Sequence, residues 1–198
     1  MTRPFTVGLL ALQGAFREHA EAFARLGADV VEVRKPAQLD DIDALVIPGG
    51  ESTTMTKLMD AYGFPDAIAA AHARDLPIWG TCAGAILIAR EVEGEGRSAR
   101  LGLVDMTVAR NAYGRQVASF EAPVNVTGME TPFRAIFIRA PRIESVGPEV
   151  QVLASYEGHP VMVQQGAVLA TVFHPELAKD DRVHAAFLGL ARKAHAAA

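Results

Sequence analysis

Three side chains of complementary chemistry punctuate the chain: Cys82 within Gly80-Thr81-Cys82-Ala83-Gly84, and His174 and Glu176 within Phe173-His174-Pro175-Glu176. A thiol attacks as its thiolate and needs a base. An imidazole serves as that base when a carboxylate fixes which ring nitrogen carries its proton. The cysteine, the only one in the chain, lies in a Gly-x-Cys-x-Gly pentapeptide, the form of a nucleophile elbow with sulfur in place of the usual oxygen. At such a strand-to-helix turn the backbone is strained and neighbouring chain is close, which is why positions 80 and 84 are small. The start of the following helix adds positive potential that favours a thiolate. It also leaves N–H groups, Ala83 foremost, free to face a developing oxyanion. His174 directly follows the apolar run "AVLATV", so it stands at a strand end, and Glu176 can reach back to it across the bend that Pro175 fixes. Each residue alone has an ordinary reading: a small buried thiol, a loop histidine, a solvated carboxylate. The combination favours nucleophile, base and orienter.

A second glycine turn, Gly49-Gly50 in "VIPGGESTTM", ends another apolar run and can turn backbone N–H groups toward the same crevice. A plain strand-to-helix turn capped by serine accounts for the two glycines and Ser52, but leaves Glu51 unexplained. The remaining histidines are His19, His184 and His195 on helical stretches, His72 near a helix end and His159 at a hairpin turn. None stands at metal-ligand spacing, and neither a metal nor a cofactor is expected.

These groups need a scaffold. Apolar runs at 5–12, 30–33, 44–50 and 77–80 alternate with helical patterns, which predicts parallel strands covered by helices. The first helical pattern, "AFREHAEAFARLG", places Phe16, Ala20, Phe23 and Leu26 on one face and ends at Gly27. A second helix is expected from about Thr53 to Arg74, capped by Ser52 or Thr53 and broken near Gly63–Pro65. A third is expected through "AGAILIAREV". The second half is strand-rich, with a hairpin at "EGHP", and the chain closes on a helix with Val183, Phe187 and Leu190 on one face. The expected fold is an α/β three-layer sandwich with a mixed, mainly parallel central sheet, formed as one domain over 1–198. The formal charge of −4 without a basic tract disfavours a nucleic-acid partner, and no apolar run is long enough for a membrane span. A lone cysteine forms no internal disulfide, which suits a cytoplasmic, reducing home.

Taken together, "PGGEST", "GTCAG" and "FHPE" resemble the triad-type (class I) glutamine amidotransferases, which have a flavodoxin-like fold. Six stretches spread over nearly the whole chain, "GLLALQGAFREH", "PGGESTTM", "GTCAGAILIA", "RNAYGRQVASFEA", "FIRAPRI" and "FHPEL", are similar to the glutaminase subunits of pyridoxal 5′-phosphate synthases within that family. The resemblance implies hydrolysis of L-glutamine to glutamate and ammonia, with Cys82 as nucleophile, His174 as base and acid, and Glu176 as orienter. It places an oxyanion hole at Gly49, Gly50 and Ala83. Substrate binding falls to Gly50, Glu51, Ser52, Arg110, Ile138 and Arg139. An arginine suits the α-carboxylate of free glutamine and Glu51 its ammonium, although the sequence leaves open which arginine. It further implies a partner, the synthase (lyase) subunit, with Gln13 and Arg17 expected where that partner docks. The glycine turn is expected to be completed only on docking. Two rivals stay open at this point: another elbow-cysteine hydrolase on the same sheet, and a non-catalytic docking subunit.

Overall fold

In the computed structural model, residues 5–93, 97–98, 100–110 and 119–197 are described. Of the "RNAYGRQVASFEA" stretch, 111–118 lies outside the described residues. In chain order the elements are β1 (Thr6–Leu10), α1 (Phe16–Arg25), β2 (Asp29–Val33), β3 (Ala44–Ile47), α2 (Ser52–Tyr62), α3 (Phe64–His72), β4 (Ile78–Thr81), α4 (Ala83–Ile88) and β5 (Ala89–Val92). They continue with β6 (Arg97–Ser98), β7 (Val104–Ala109), β8 (Ser119–Val124), β9 (Phe133–Ile138), β10 (Arg142–Val146), β11 (Gln151–Tyr156), β12 (His159–Gln165), β13 (Val168–Thr171) and α5 (Arg182–Ala197).

A seven-stranded sheet in the order β11-β12-β13-β4-β3-β1-β2 forms the centre. Its β13-β4-β3-β1-β2 part is parallel, and β12 and β11 extend it antiparallel. The mixed, mainly parallel sheet expected from the sequence is thus present. The residue types say why these strands are central. β1, β3, β4 and β13 are buried at every position, as the near-continuous apolar runs "TVGLL", "ALVI" and "VLAT" require, whereas edge strand β2 carries Asp29 and Glu32 and exposes them. Chain order reverses at β1, with β2 on one side and β3 and β4 on the other. Right-handed crossovers then put α1 on one face and α2 with α3 on the opposite face. The crevice at the carboxyl ends of β1 and β3 is therefore a topological switch point, where open α/β sheets bind ligands. Packed beneath it are Trp79, Phe23 and Phe187, with His184 lying 5.0 Å from the Trp79 ring. Among the described residues no helix is long and apolar enough to cross a membrane.

Two expectations need correcting. The helix expected through "AGAILIAREV" ends at Ile88. Ala89–Val92 is β5, which pairs with β7 in a second sheet of order β10-β7-β5-β6. Ala89 and Val92 are buried there and Arg90 and Glu91 exposed, so pairing with β7 satisfies the backbone while keeping both charges in water. The second-half strands consequently divide, with β8 and β9 forming a separate ribbon. Next, α2 starts at Ser52 and its cap is Glu51, in place of Ser52 or Thr53, because the longer carboxylate arches over the first turn and takes two N–H groups. The break expected near Gly63–Pro65 is present: Gly63 adopts a left-handed conformation, φ 74°, between α2 and α3. The face expected on α5 is present: Val183 and Phe187 are buried and the half-buried Leu190 packs against the same core, joined by His184, Leu188 and Ala191.

Two glycines test this packing in opposite directions. A Cβ on Gly84 would run into the carbonyl oxygen of Ile47, whereas one on Gly189, within α5, would meet nothing. Gly84→Ala is expected to cost about 3 kcal/mol of unfolding free energy, and Gly189→Ala to add about 0.5–1 kcal/mol. Urea unfolding of each variant measures both.

Candidate active site

Cys82 stands where β4 breaks into α4, in a conformation that side chains seldom adopt, φ 49° and ψ −105°. Two contacts hold it there. Its N–H donates to the Thr171 carbonyl at 2.8 Å, tying the turn to β13. The α4 backbone also packs so closely on the sheet that a Cβ on Gly80 would lie 2.6 Å from the Gly84 carbonyl oxygen and one on Gly84 would run into the Ile47 carbonyl oxygen, which explains both glycines of the elbow. The thiol is nearly buried, and Sγ lies 3.9 Å from the carbonyl oxygen of Ile138 at the end of β9.

His174 follows β13, the neighbour of β4, so the two strand ends carry imidazole and thiol side by side. The His174 N–H donates to Ile136 O at 2.7 Å, anchoring the segment to β9 as well. Glu176 lies in a short 3-10 turn, Pro175–Leu177, and its Oε1 is 2.7 Å from His174 Nδ1. With Nδ1 engaged, Nε2 is the nitrogen left for sulfur. Burial works against a charged His174, but hydrogen bonds to Cys82 and Glu176 outweigh it and push the ring up to about 10. Burial likewise works against ionised Glu176. His19 and the bond to His174 outweigh it, and the carboxyl stays below its ordinary range. The thiol, ring and carboxylate therefore form one connected row.

The Gly49–Gly50 turn closes over this row. A Cβ on Gly49 would come within 2.7 Å of His174 Cε1 and 3.3 Å of Cys82 Cβ, so no larger residue fits. The turn is tied at both ends to the β1–α1 loop: Ala15 N–H donates to Gly49 O at 3.1 Å, and Glu51 N–H donates to Gln13 Oε1 at 2.9 Å. Glu51 accepts from the N–H groups of Thr53 and Thr54 at 3.0 and 2.7 Å and from the Thr54 hydroxyl at 2.7 Å, which together pull its carboxyl down to about 2. Arg110 donates to Thr53 Oγ1 at 3.2 Å and sits 3.9 Å from Glu51 Oε1.

A crevice of about 470 Å³ opens above these groups, within the ordinary range for a small-molecule site. Of the residues singled out from the sequence, it brings together Gln13, Gly49, Gly50, Glu51, Ser52, Cys82, Ala83, Arg110, Ile138, Arg139 and His174. Glu176 lies behind His174, and Arg17 is exposed on α1, outside the lining. Gln13, expected at a docking surface, is half-buried in the crevice wall. Arg139 adopts a left-handed φ of 43° immediately after β9, so the chain turns sharply where it borders the site. The arrangement offers a nucleophilic sulfur, a proton carrier, and charged groups of both signs at the rim. That set suits acyl transfer from a small zwitterion. The sequence reading passed over His19 and His184, which lie behind Glu176 in the core. One signal was available: His19 precedes Ala22 by three residues and Phe23 by four, so it shares their buried face.

Comparison with known proteins bears on this geometry. Residues 9–192 match the model of the SNO glutamine amidotransferase family. The curated pyridoxal 5′-phosphate synthase subunit PdxT of Deinococcus radiodurans is 54% identical over 190 residues, covering 94% of this chain and 97% of that protein. A protein of the same name from Pelotomaculum thermopropionicum is 55% identical, covering 92% and 93%. A crystal structure described as a glutamine amidotransferase superposes with a TM-score of 0.89 at 50% identity, covering 93% of this chain and 98% of that one. The structure of PurLQS from Thermotoga maritima shares the fold, with a TM-score of 0.72 at 17% identity over 95% and 99% of the two chains.

The contacts of His174 with Cys82 and Glu176 set a pH dependence. The folded His174 value of about 10 exceeds the ordinary 6.5. Its contribution to stability is therefore full below about pH 6.5 and is lost as pH rises through about 10. In Glu176→Gln the ring loses an influence that raises it, so its midpoint should fall toward 6.5 and the stabilisation should fade at lower pH. An NMR titration of the His174 ring in both proteins checks this.

Proposed function

The chain belongs to the SNO glutamine amidotransferase family, and from that premise we propose that it works as one domain over 1–198, the glutaminase subunit of a pyridoxal 5′-phosphate synthase, acting in the cytoplasm. The observation that carries the reading is the connected row of Cys82, His174 and Glu176 on the floor of a crevice at the sheet's switch point.

The chemistry follows from that row. The Cys82 thiolate attacks the side-chain amide carbon of L-glutamine, and the His174 imidazolium gives its proton to the departing nitrogen. Ammonia leaves and a γ-glutamyl thioester remains. Water then attacks the thioester, His174 takes its proton, and glutamate is released, its new carboxyl ionising to solvent, with the thiolate–imidazolium pair restored. Glu176 keeps the proton on Nδ1 throughout, so that Nε2 does the transferring. The oxyanion of each tetrahedral intermediate falls to the N–H of Ala83 and to the Gly49–Gly50 turn. Arg110 or Arg139 takes the substrate's α-carboxylate. Glu51, with Gly50, Ser52 and Ile138 beside it, takes the α-ammonium, and its low-lying carboxyl supplies charge at any physiological pH.

Ammonia is a nucleophile only while unprotonated, and in neutral water it becomes ammonium. A glutaminase that serves biosynthesis must therefore hand it on inside protein. The partner is a synthase (lyase) subunit, docked near Arg17 and the rim that Gln13 helps to build. The β1–α1 loop grips the glycine turn at two points, so a partner pressing on that loop also sets the turn's orientation. Docking thereby completes the oxyanion hole.

Cys82→Ala is expected to lower glutamate release at least about a thousandfold while leaving assembly with the synthase intact. Trapping with a glutamine analogue should show the mass of a γ-glutamyl adduct on Cys82, and activity surviving in the alanine variant would overturn the mechanism. Glutamate release should rise when synthase is added; equal rates with and without it would refute the docking step.

A further inference from the structure

Glu176 uses only one of its two oxygens on His174. The other, Oε2, is buried and has no hydrogen-bond partner, a costly condition for a carboxylate oxygen away from water. Facing it at 3.4 Å is Nε2 of His19, a fully buried histidine on α1, and the same nitrogen lies 3.3 Å from Thr81 Oγ1. The other ring nitrogen of His19, Nδ1, is 2.9 Å from Nε2 of His184 on α5, and His184 is also fully buried. The polar row therefore continues from the crevice into the aromatic core: sulfur, His174, Glu176, His19, His184.

The protons in this row can be assigned from the partners. Burial keeps His19 below its ordinary value against the opposing pull of Glu176, and burial with His19 beside it pushes His184 down to about 3. Both rings are thus neutral near pH 7, each with a single N–H. In one arrangement His184 donates Nε2–H to His19 Nδ1, and His19 turns its own Nε2–H toward Glu176 Oε2 and Thr81. The atom left over is His184 Nδ1 as a bare acceptor, and that atom has no partner. In the other arrangement His19 turns a lone pair toward a carboxylate, and an N–H of His184 is stranded in the core. The ionised carboxylate selects the first. The charged groups around His19 agree: Glu176 and Glu18 favour an N–H turned toward them, and among these groups only His174 acts in the opposite sense. Around His184, Asp181 and Arg25 act in opposite senses.

We propose that His19 is a positioning residue of the active site, holding Glu176 from the core side through Nε2–H, with His184 selecting the tautomer that makes this possible. A carboxylate bonded to its imidazole through one oxygen leaves the orientation of the other to its surroundings. A second donor fixes its plane, keeps it ionised and so keeps the His174 proton on Nδ1. For its kinetic consequence the proposal rests on the glutaminase reading; for its effect on the thiol it does not.

The test compares His19→Leu, His19→Gln and His184→Phe, using two measurements. The first is the pH profile of Cys82 alkylation by iodoacetamide on the chain alone, which reports how well the row supports an imidazolium beside the thiolate. The second is kcat and KM for glutamine in the complex with synthase. In His19→Leu the alkylation midpoint should move to higher pH, and kcat should fall about tenfold or more with KM within about twofold. His19→Gln, which keeps an N–H donor toward Glu176, should recover most of both. His184→Phe fits the surrounding aromatic rings and should shift the midpoint in the same direction by less. A Leu variant with the parent's profile, or a Gln variant no better than Leu, overturns the proposal. Should His19→Leu fail to fold, His184→Phe decides: a raised midpoint supports the assignment and an unchanged one sinks it. Glutamate release absent from the unaltered complex would instead strike the functional reading, and the alkylation profile would still judge His19.

Discussion

The site depends on a close approach of backbone to backbone. At the end of β4 the chain turns into α4 so tightly that Gly80 faces the Gly84 carbonyl and Gly84 faces the Ile47 carbonyl on β3, with no room for a side chain between them. This contact holds Cys82 in its left-handed conformation, since relaxing the backbone at 82 would drive α4 into the neighbouring strand. The strain is offset by the fully buried strands on either side, β3 and β13, whose apolar faces and ladder hydrogen bonds resist any shift of the turn. A sulfur atom is thereby presented at the crevice floor by elements that are buried and paired on both sides. Reactions that need near-attack geometry depend on such rigidity.

Two carboxylates lie close to the site and are held ionised for different reasons. Glu51 sits at the exposed rim, where the first N–H groups of α2 and a threonine hydroxyl solvate it in place of water. Glu176 sits in the core, where burial disfavours its charge and the imidazoles on both sides sustain it. The first can meet a ligand, because it faces solvent. The second can meet only another protein side chain, so its influence on chemistry must pass through His174. Position in the fold, more than residue type, separates their roles.

The sheet order explains how groups so distant in sequence converge. Gln13, Gly49, Cys82 and His174 follow β1, β3, β4 and β13, four neighbouring parallel strands, and parallel strands present their carboxyl ends on one side. Each connection can vary in length without moving the site, since every strand returns to the same edge of the sheet. The separate β8–β9 ribbon adds a wall from outside this plan, bringing Ile138 to the thiol and Ile136 to the His174 backbone.

Local chemistry made much of this legible in the sequence. Gly-x-Cys-x-Gly announces a cramped turn because only glycine tolerates such contacts. The apolar runs announce central strands because only those strands are buried on both faces, and His-Pro-Glu sets ring and carboxylate within reach of each other by covalent geometry alone. Long-range contacts were not legible. Glu51 became a helix cap because its carboxylate could arch over two N–H groups, which residue identity does not reveal. Ala89–Val92 became a strand because β7, a dozen or more residues onward, offered a ladder. His19 and His184 are separated by 165 residues and share no pattern, yet they lie 2.9 Å apart behind Glu176. Spacing records what neighbours along the chain can do; only packing decides which distant polar groups must answer one another once water has gone.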